Sequence, residues 1–111
     1  MADIEINLGE TFYAPALHIS LLDMLRAGGF YWPEGATCVT QECDGALLWW
    51  SAPVNEVRQA RKDANHDDGL MPLLGLGQQV SVEYYDVGEQ AFVANNWEEA
   101  VVTFAQFTKA N

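Results

Sequence analysis

Few side chains in this sequence have types that can do chemistry, and their spacing decides what they can do. Histidines stand at positions 18 and 66, cysteines at 38 and 43. Nucleophilic catalysis needs a base within reach of a Ser or Cys, and a reactive thiol needs positive charge beside it. Neither His18 nor His66 sits in a nucleophile motif, and the stretch from Thr37 to Asp44 holds no Lys or Arg. Zinc asks for about four nitrogen or sulfur ligands; two cysteines on opposite strand faces and two distant histidines do not supply them. The run DANHDDG, residues 63–69, places oxygen ligands at the first, third and fifth places of an EF-hand loop. Its glycine falls one place late, and Leu74 stands where a bidentate Glu is required. The carboxylate pairs Asp67-Asp68 and Glu98-Glu99 can exchange protons with a substrate only inside a pocket. GLG at 75–77 is too short for a phosphate cradle. These residues predict a non-enzymatic protein with no catalytic residue, no cofactor and no resident metal.

The elements that would position these side chains can be read from periodicity. DIEINL, residues 3–8, alternates as a half-buried strand does. PALHISLLDMLRA, residues 15–27, reads as a helix with Pro15 at its first position, an apolar stripe of Leu17, Leu21, Met24 and Leu25, and a glycine stop. Asp44-Gly45 between TCVTQEC and ALLWW signals a two-residue hairpin turn. That turn would pair Cys43 with Ala46, Gln41 with Leu48, Thr40 with Trp49 and Val39 with Trp50, putting Trp49 and Trp50 on opposite faces. A second helix spans residues 53–64 and carries Arg58, Arg61 and Lys62 on a thinly apolar, peripheral element. Residues 65–78 form a loop whose apolar middle either enters the core or forms an exposed patch. A second hairpin follows: a strand over 79–86, a turn, and QAFVA as its partner. Asn96 and Glu99 have the spacing of a capping box for a last helix through Trp97, Val101, Phe104 and Phe107, although VVTF is β-prone. The expectation is one α+β domain over residues 1–111, with an antiparallel sheet of two hairpins and about three packing helices. Cys38 and Cys43, roughly 17 Å apart on one strand, could not form a disulfide.

Composition narrows the partners. Half of the 111 residues are hydrophobic and 12% aromatic, enough for a real core. Sixteen acids face five bases, a formal net charge of −11. Such a field opposes direct binding to nucleic acid or to an anionic membrane and favours basic proteins. No apolar run is long enough to span a bilayer. The acidic N-terminus has no signal-peptide character, so the expected compartment is the cytoplasm.

The segment YWPEGATCVTQECDGALLWW resembles a module of small uncharacterised proteins of tailed bacteriophages, in which W-P-E-G-A-T leads through a short strand to D-G and an aromatic strand. Trp32, Pro33, Glu34, Gly35, Ala36 and Thr37 carry the first half, and Asp44, Gly45 and Trp49 or Trp50 the second; the likeness covers about a fifth of the chain. Phage versions often place His after the Thr, where this chain has Cys38, so no role of that His transfers. The resemblance implies a phage or mobile-element protein in a bacterial host cell. A compact acidic protein of that origin would bind and inhibit a basic or nucleic-acid-binding host protein, in the manner of an anti-CRISPR or anti-restriction inhibitor, with an acidic surface imitating DNA. Glu34, Glu42, Asp44 and Trp49 around the hairpin, and Asp63, Asp67 and Asp68 beyond the second helix, are the candidate partner-binding residues. Two other functions compete. An immunity protein or antitoxin would neutralise a basic toxin by charge complementarity. A protein sequestering a small signalling ligand would need several of the five basic residues to converge, a strained demand on so few. The apolar LMPLLGLG loop, residues 70–77, is a candidate contact for a homodimer.

Overall fold

The computed structural model describes residues 13–65 and 67–109. The expected strand over residues 3–8 and His66 lie outside the described residues. The fold is α+β, with a four-stranded antiparallel sheet, a separate two-stranded ribbon and four helices among the described residues.

The first helix is shorter than its apolar stripe predicts. Ala16 bridges Val93 in parallel, and the Leu17 amide donates to the Val93 carbonyl at 2.9 Å. Pro15 therefore belongs to an extended run rather than to a helical turn. Helix α1, Leu21–Ala27, begins after Ser20, whose hydroxyl accepts from the Asp23 amide at 3.1 Å. Asn96 Oδ1 takes a second open donor of that turn, the Leu21 amide, at 2.9 Å. Leu21, Met24 and Leu25 face inward, completely enclosed.

Strands β1 (Cys38–Gln41) and β2 (Ala46–Trp50) form the central hairpin, but not in the expected register. Val39 pairs with Trp49, Thr40 with Leu48 and Gln41 with Leu47. The connection is one residue longer than a two-residue turn. The Gly45 amide donates to the Glu42 carbonyl at 2.9 Å, the Glu42 amide donates to the Ala46 carbonyl at 2.8 Å, and Gly45 lies at φ +99°. This is a turn over Glu42–Gly45 closed by a left-handed bulge glycine, the usual three-residue hairpin loop. Asp44 supports it by accepting from the Ala46 amide at 3.0 Å. A slip of one residue exchanges the faces of one strand relative to the other. Val39, Leu47 and Trp49 thus share one core, with α1, and Cys38, Leu48 and Trp50 share the other.

Helix α2, Val54–Asp63, covers the second face through Val57 and Ala60. The greasy loop after it enters the same core. Leu70 is enclosed, Met71 and Leu74 are partly buried, and Met71–Leu74 forms the short helix α3 before a 3₁₀ turn at Leu76–Gln78. Leu73 of α3 is left exposed. Strand β3, Gln79–Tyr84, pairs with β2 rather than with QAFVA. The second hairpin is instead the small ribbon of β4 (Asp86–Val87) and β5 (Gln90–Ala91).

The expected helix from Asn96 is absent. Residues 95–99 form turns, with Ala100 donating to the Asn96 carbonyl at 3.0 Å. Strand β6, Val102–Thr103, joins the far side of β1, giving the order β3-β2-β1-β6. Helix α4, Phe104–Thr108, then starts on a true capping box, in which Thr103 and Gln106 each bind the other's backbone amide. The β-branched Val101-Val102-Thr103 run favours pairing with β1 over the helix that Glu99 could have capped.

Both tryptophans of β2 are fully enclosed, one per core. Burying an indole of about 150 Å² or more stabilises the fold by on the order of 4 kcal/mol. Trp32 stacks edge-on against Trp49 at 5.0 Å and also meets Phe104 and Phe107, both at 5.4 Å. It fastens α4 over the first core.

Candidate functional site

The hairpin turn lies at one end of the sheet, and several acids gather there. The Glu42 carboxylate accepts from the Leu70 amide at 3.2 Å, and Gly69 is packed so closely against it that an added Cβ would clash. Asp67 and Asp68, immediately before Gly69, are therefore brought beside the hairpin. Asn65 shapes their loop, accepting from the Asp67 amide through its side chain at 2.8 Å and from the Asp68 amide through its carbonyl at 3.0 Å. Asp63 ends α2 and accepts from Gln59 Nε2 at 3.1 Å. Asp44, in the turn, and Asp86, at the start of β4, both act on Tyr84: burial first, then these two carboxylates, push its phenol above its usual value. Glu42 and Asp44 of the turn thus share one acidic end with Asp67 and Asp68 of the loop that Glu42 holds.

Two of the predicted contact residues fall elsewhere. Trp49 is fully enclosed against Trp32 and α1, because the register places its face inward, so it offers no surface to a partner. Glu34 is exposed, but at the opposite end of the hairpin, in the turn where the Ala36 amide donates to the Pro33 carbonyl. That turn explains the W-P-E-G-A-T run structurally. Trp32 Nε1 donates to the Ala36 carbonyl at 2.8 Å, Gly35 supplies φ +90°, and the Thr37 hydroxyl donates to the Trp50 carbonyl at 3.2 Å and also contacts the Ala52 carbonyl.

Sequence reasoning missed two residues. Gln41 is wholly buried and fully used: Nε2 donates to the carbonyls of Gly45 and Phe92 at 3.1 and 3.0 Å, and Oε1 accepts from the Ala94 amide at 2.8 Å. It stitches the hairpin turn to the 92–94 segment. A polar residue among the apolar neighbours of a central strand was its signal. Arg61 is the other. It is 4% exposed, donates from Nη1 to the Gln41 carbonyl at 2.9 Å, and holds its guanidinium carbon 5.9 Å from the Trp97 ring centroid. Burial lowers its pKa, while Glu42 and Glu98 act in the opposite direction. With Arg58, Lys62, Glu98, Glu99 and Val101 it lines a cavity of about 500 Å³. Three of the five basic residues therefore converge after all, and the spacing 58, 61, 62 on one helical face was legible beforehand.

Cys38 and Cys43 are buried and not joined by a disulfide. Burial raises both thiols above the ordinary 9.0, and Asp44 and Glu42 add to the effect at Cys43. A thiol so placed is a weak nucleophile at neutral pH. Among the described residues, no helix is long and apolar enough to cross a membrane. The chain matches no protein-family model, no curated protein and no solved structure.

Proposed function

We propose that this is a non-enzymatic binding protein of a phage or mobile element, which acts in the host cytoplasm by occupying the basic surface of a host protein through its acidic end. One observation supports the reading: the hairpin turn and the 67–70 loop, distant in sequence, are joined by the bond from Leu70 to Glu42, which sets the loop of Asp67 and Asp68 beside the turn of Glu42 and Asp44. At one charge per about 1.7 Å of duplex, these four acids stand for about two base pairs. That length suits a protein that grips a short stretch of nucleic acid, such as a component of a defence complex, better than one that tracks a long duplex. An immunity protein facing a basic toxin would use the same surface, and the identity of the captured protein separates the two.

The test is capture of partners from a bacterial host lysate on the tagged chain, at low and at high salt. Raising salt from 0.1 to 1 M shortens the screening length from about 10 to about 3 Å. A stoichiometric nucleic-acid-binding protein, held at low salt and released at high salt, is the expected result. A partner that stays bound at high salt would contradict an electrostatic mode of binding.

A further inference from the structure

Strand β3 is the longest of the sheet, six residues or roughly 20 Å, and it stands at the edge. Among the described residues it pairs only with β2, regularly from Ser81 to Tyr84 and with a slip only at its start. The direction of its main-chain groups follows from the central hairpin. The Glu42 amide donates to the Ala46 carbonyl, so hydrogen-bonded pairs recur at every second residue, and Thr40 with Leu48 is the next. Leu47 and Trp49 then turn their amides and carbonyls toward β3, where they meet Glu83 and Ser81. The amides and carbonyls of Val82 and Tyr84 are left facing outward, along the open edge.

Such an edge accepts a further strand, and proteins commonly guard it with Lys, Pro or a very short strand. QVSVEY has none of these. The side chains beside the open groups are apolar and accessible: Val82 and Tyr84 are each 46% exposed, on the face of their partners Leu48 and Ala46. The charges around them have one sign. Glu83, Asp86 and Glu89 are exposed, Asp44 lies close enough to Tyr84 to act on its phenol, and no Lys or Arg occurs between Lys62 and Lys109. This pattern selects the strand that can join. A second copy would bring its own Glu83 and a further charge of −11 to the edge. A basic strand is attracted along the whole length over which it pairs.

We propose that the open edge of β3 takes up an extended basic segment of a partner protein as an added strand. Its main chain bonds Val82 and Tyr84, and its apolar residues cover those two side chains. Its Lys or Arg residues alternate with these and meet Glu83, with Asp86 and Asp44 at the Tyr84 end. The choice of a basic partner rests on the function proposed above; the site and the mode of pairing are additional to it.

The probe is a synthetic peptide of about ten residues that alternates Lys and Val, the length of one strand. It is titrated into the full chain at low salt, and amide exchange is followed residue by residue. Saturation should slow exchange at Val82 and Tyr84 by on the order of tenfold. The same peptide with Pro in place of its central Val residues keeps the charge but loses main-chain donors, and should bind about tenfold more weakly. A Glu–Val peptide should not bind. Val82→Lys, at an exposed position, should weaken the Lys–Val peptide by about tenfold without moving the thermal midpoint of the free protein. Equal affinity for the Lys–Val and Pro-bearing peptides would show attraction without pairing and overturn the proposal. So would unaltered exchange at Val82 and Tyr84 at saturation, or full affinity in Val82→Lys. Protection of these amides in the peptide-free chain that grows with its concentration would give the edge to a second copy and likewise overturn it. Because the peptides are synthetic, these results stand whether or not lysate capture yields a basic protein, so failure of the edge and failure of the function are read separately.

Discussion

Replacing Gln41 by Leu tests how the hairpin is tied to the rest of the chain. The two side chains are similar in size, so the change removes hydrogen bonds with little change in packing. Three main-chain groups lose their partner: the carbonyls of Gly45 and Phe92 and the amide of Ala94. Gly45 and Ala94 are buried. An orphaned buried group costs about 1–3 kcal/mol, so Gln41→Leu should destabilise by about 2–6 kcal/mol. That is a large part of the 5–15 kcal/mol typical of a domain. Thr40→Val, one residue earlier, is the comparison. It removes a single acceptor, from Trp50 Nε1 at 2.9 Å, and should cost about 1–3 kcal/mol. Urea unfolding of both variants gives the two numbers, and unchanged m-values would show that the denatured state is the same. Amide exchange at Ala94 should accelerate in Gln41→Leu and not in Thr40→Val. A cost below about 1 kcal/mol for Gln41→Leu, or protection at Ala94 equal to wild type, would refute the reasoning that Gln41 holds the 92–94 segment.

Other consequences follow from the same contacts. Gly45→Ala should destabilise by about 1–2 kcal/mol in thermal or urea unfolding, because its φ of +99° is hostile to a Cβ, which would also meet Ala91 at 3.1 Å. Trp32→Ala should cost about 3 kcal/mol and loosen α4, seen as faster amide exchange in residues 104–108, because the indole bridges Trp49 to Phe107. The thiol pKa values of Cys38 and Cys43 are raised on folding, so the native state keeps protons that the unfolded chain releases. Their contribution is complete below the unfolded value near 9.0 and is lost as pH climbs past it. Stability should therefore fall on the alkaline side, and Cys38→Ala should fall less; an identical slope in the variant would assign the loss to other groups.

Much of this architecture was legible from the sequence. The hairpin, the helix over 54–63 and the strand from Gln79 follow from turn signals and periodicity, and so does the α+β class. The misreadings have local causes. Pro15 and Ser20 both announce a helix start, and pairing with Val93 decides for Ser20. Asp44-Gly45 fits either a two- or a three-residue loop, and the enclosure of Trp49 with α1 selects the longer one. Asn96 starts no helix and instead caps α1, a relation of 75 positions that no local window contains. The candidate acids were identifiable as types, but their gathering depends on the bond from Leu70 to Glu42. The basic face of α2 was visible as a pattern, whereas Trp97 and the 98–99 wall opposite it depend on the turns at 95–99.

The central claim is that the acidic end carries the binding function. The most direct measurement is parallel lysate capture on wild type and on a variant with Asp44→Asn, Asp67→Asn and Asp68→Asn. Asp67 and Asp68 are exposed and Asp44 half-buried, so unfolding of the variant is checked first. A basic host protein held by the wild type and lost by the folded variant is the predicted result. Equal capture by both, or no host protein on either, would contradict it.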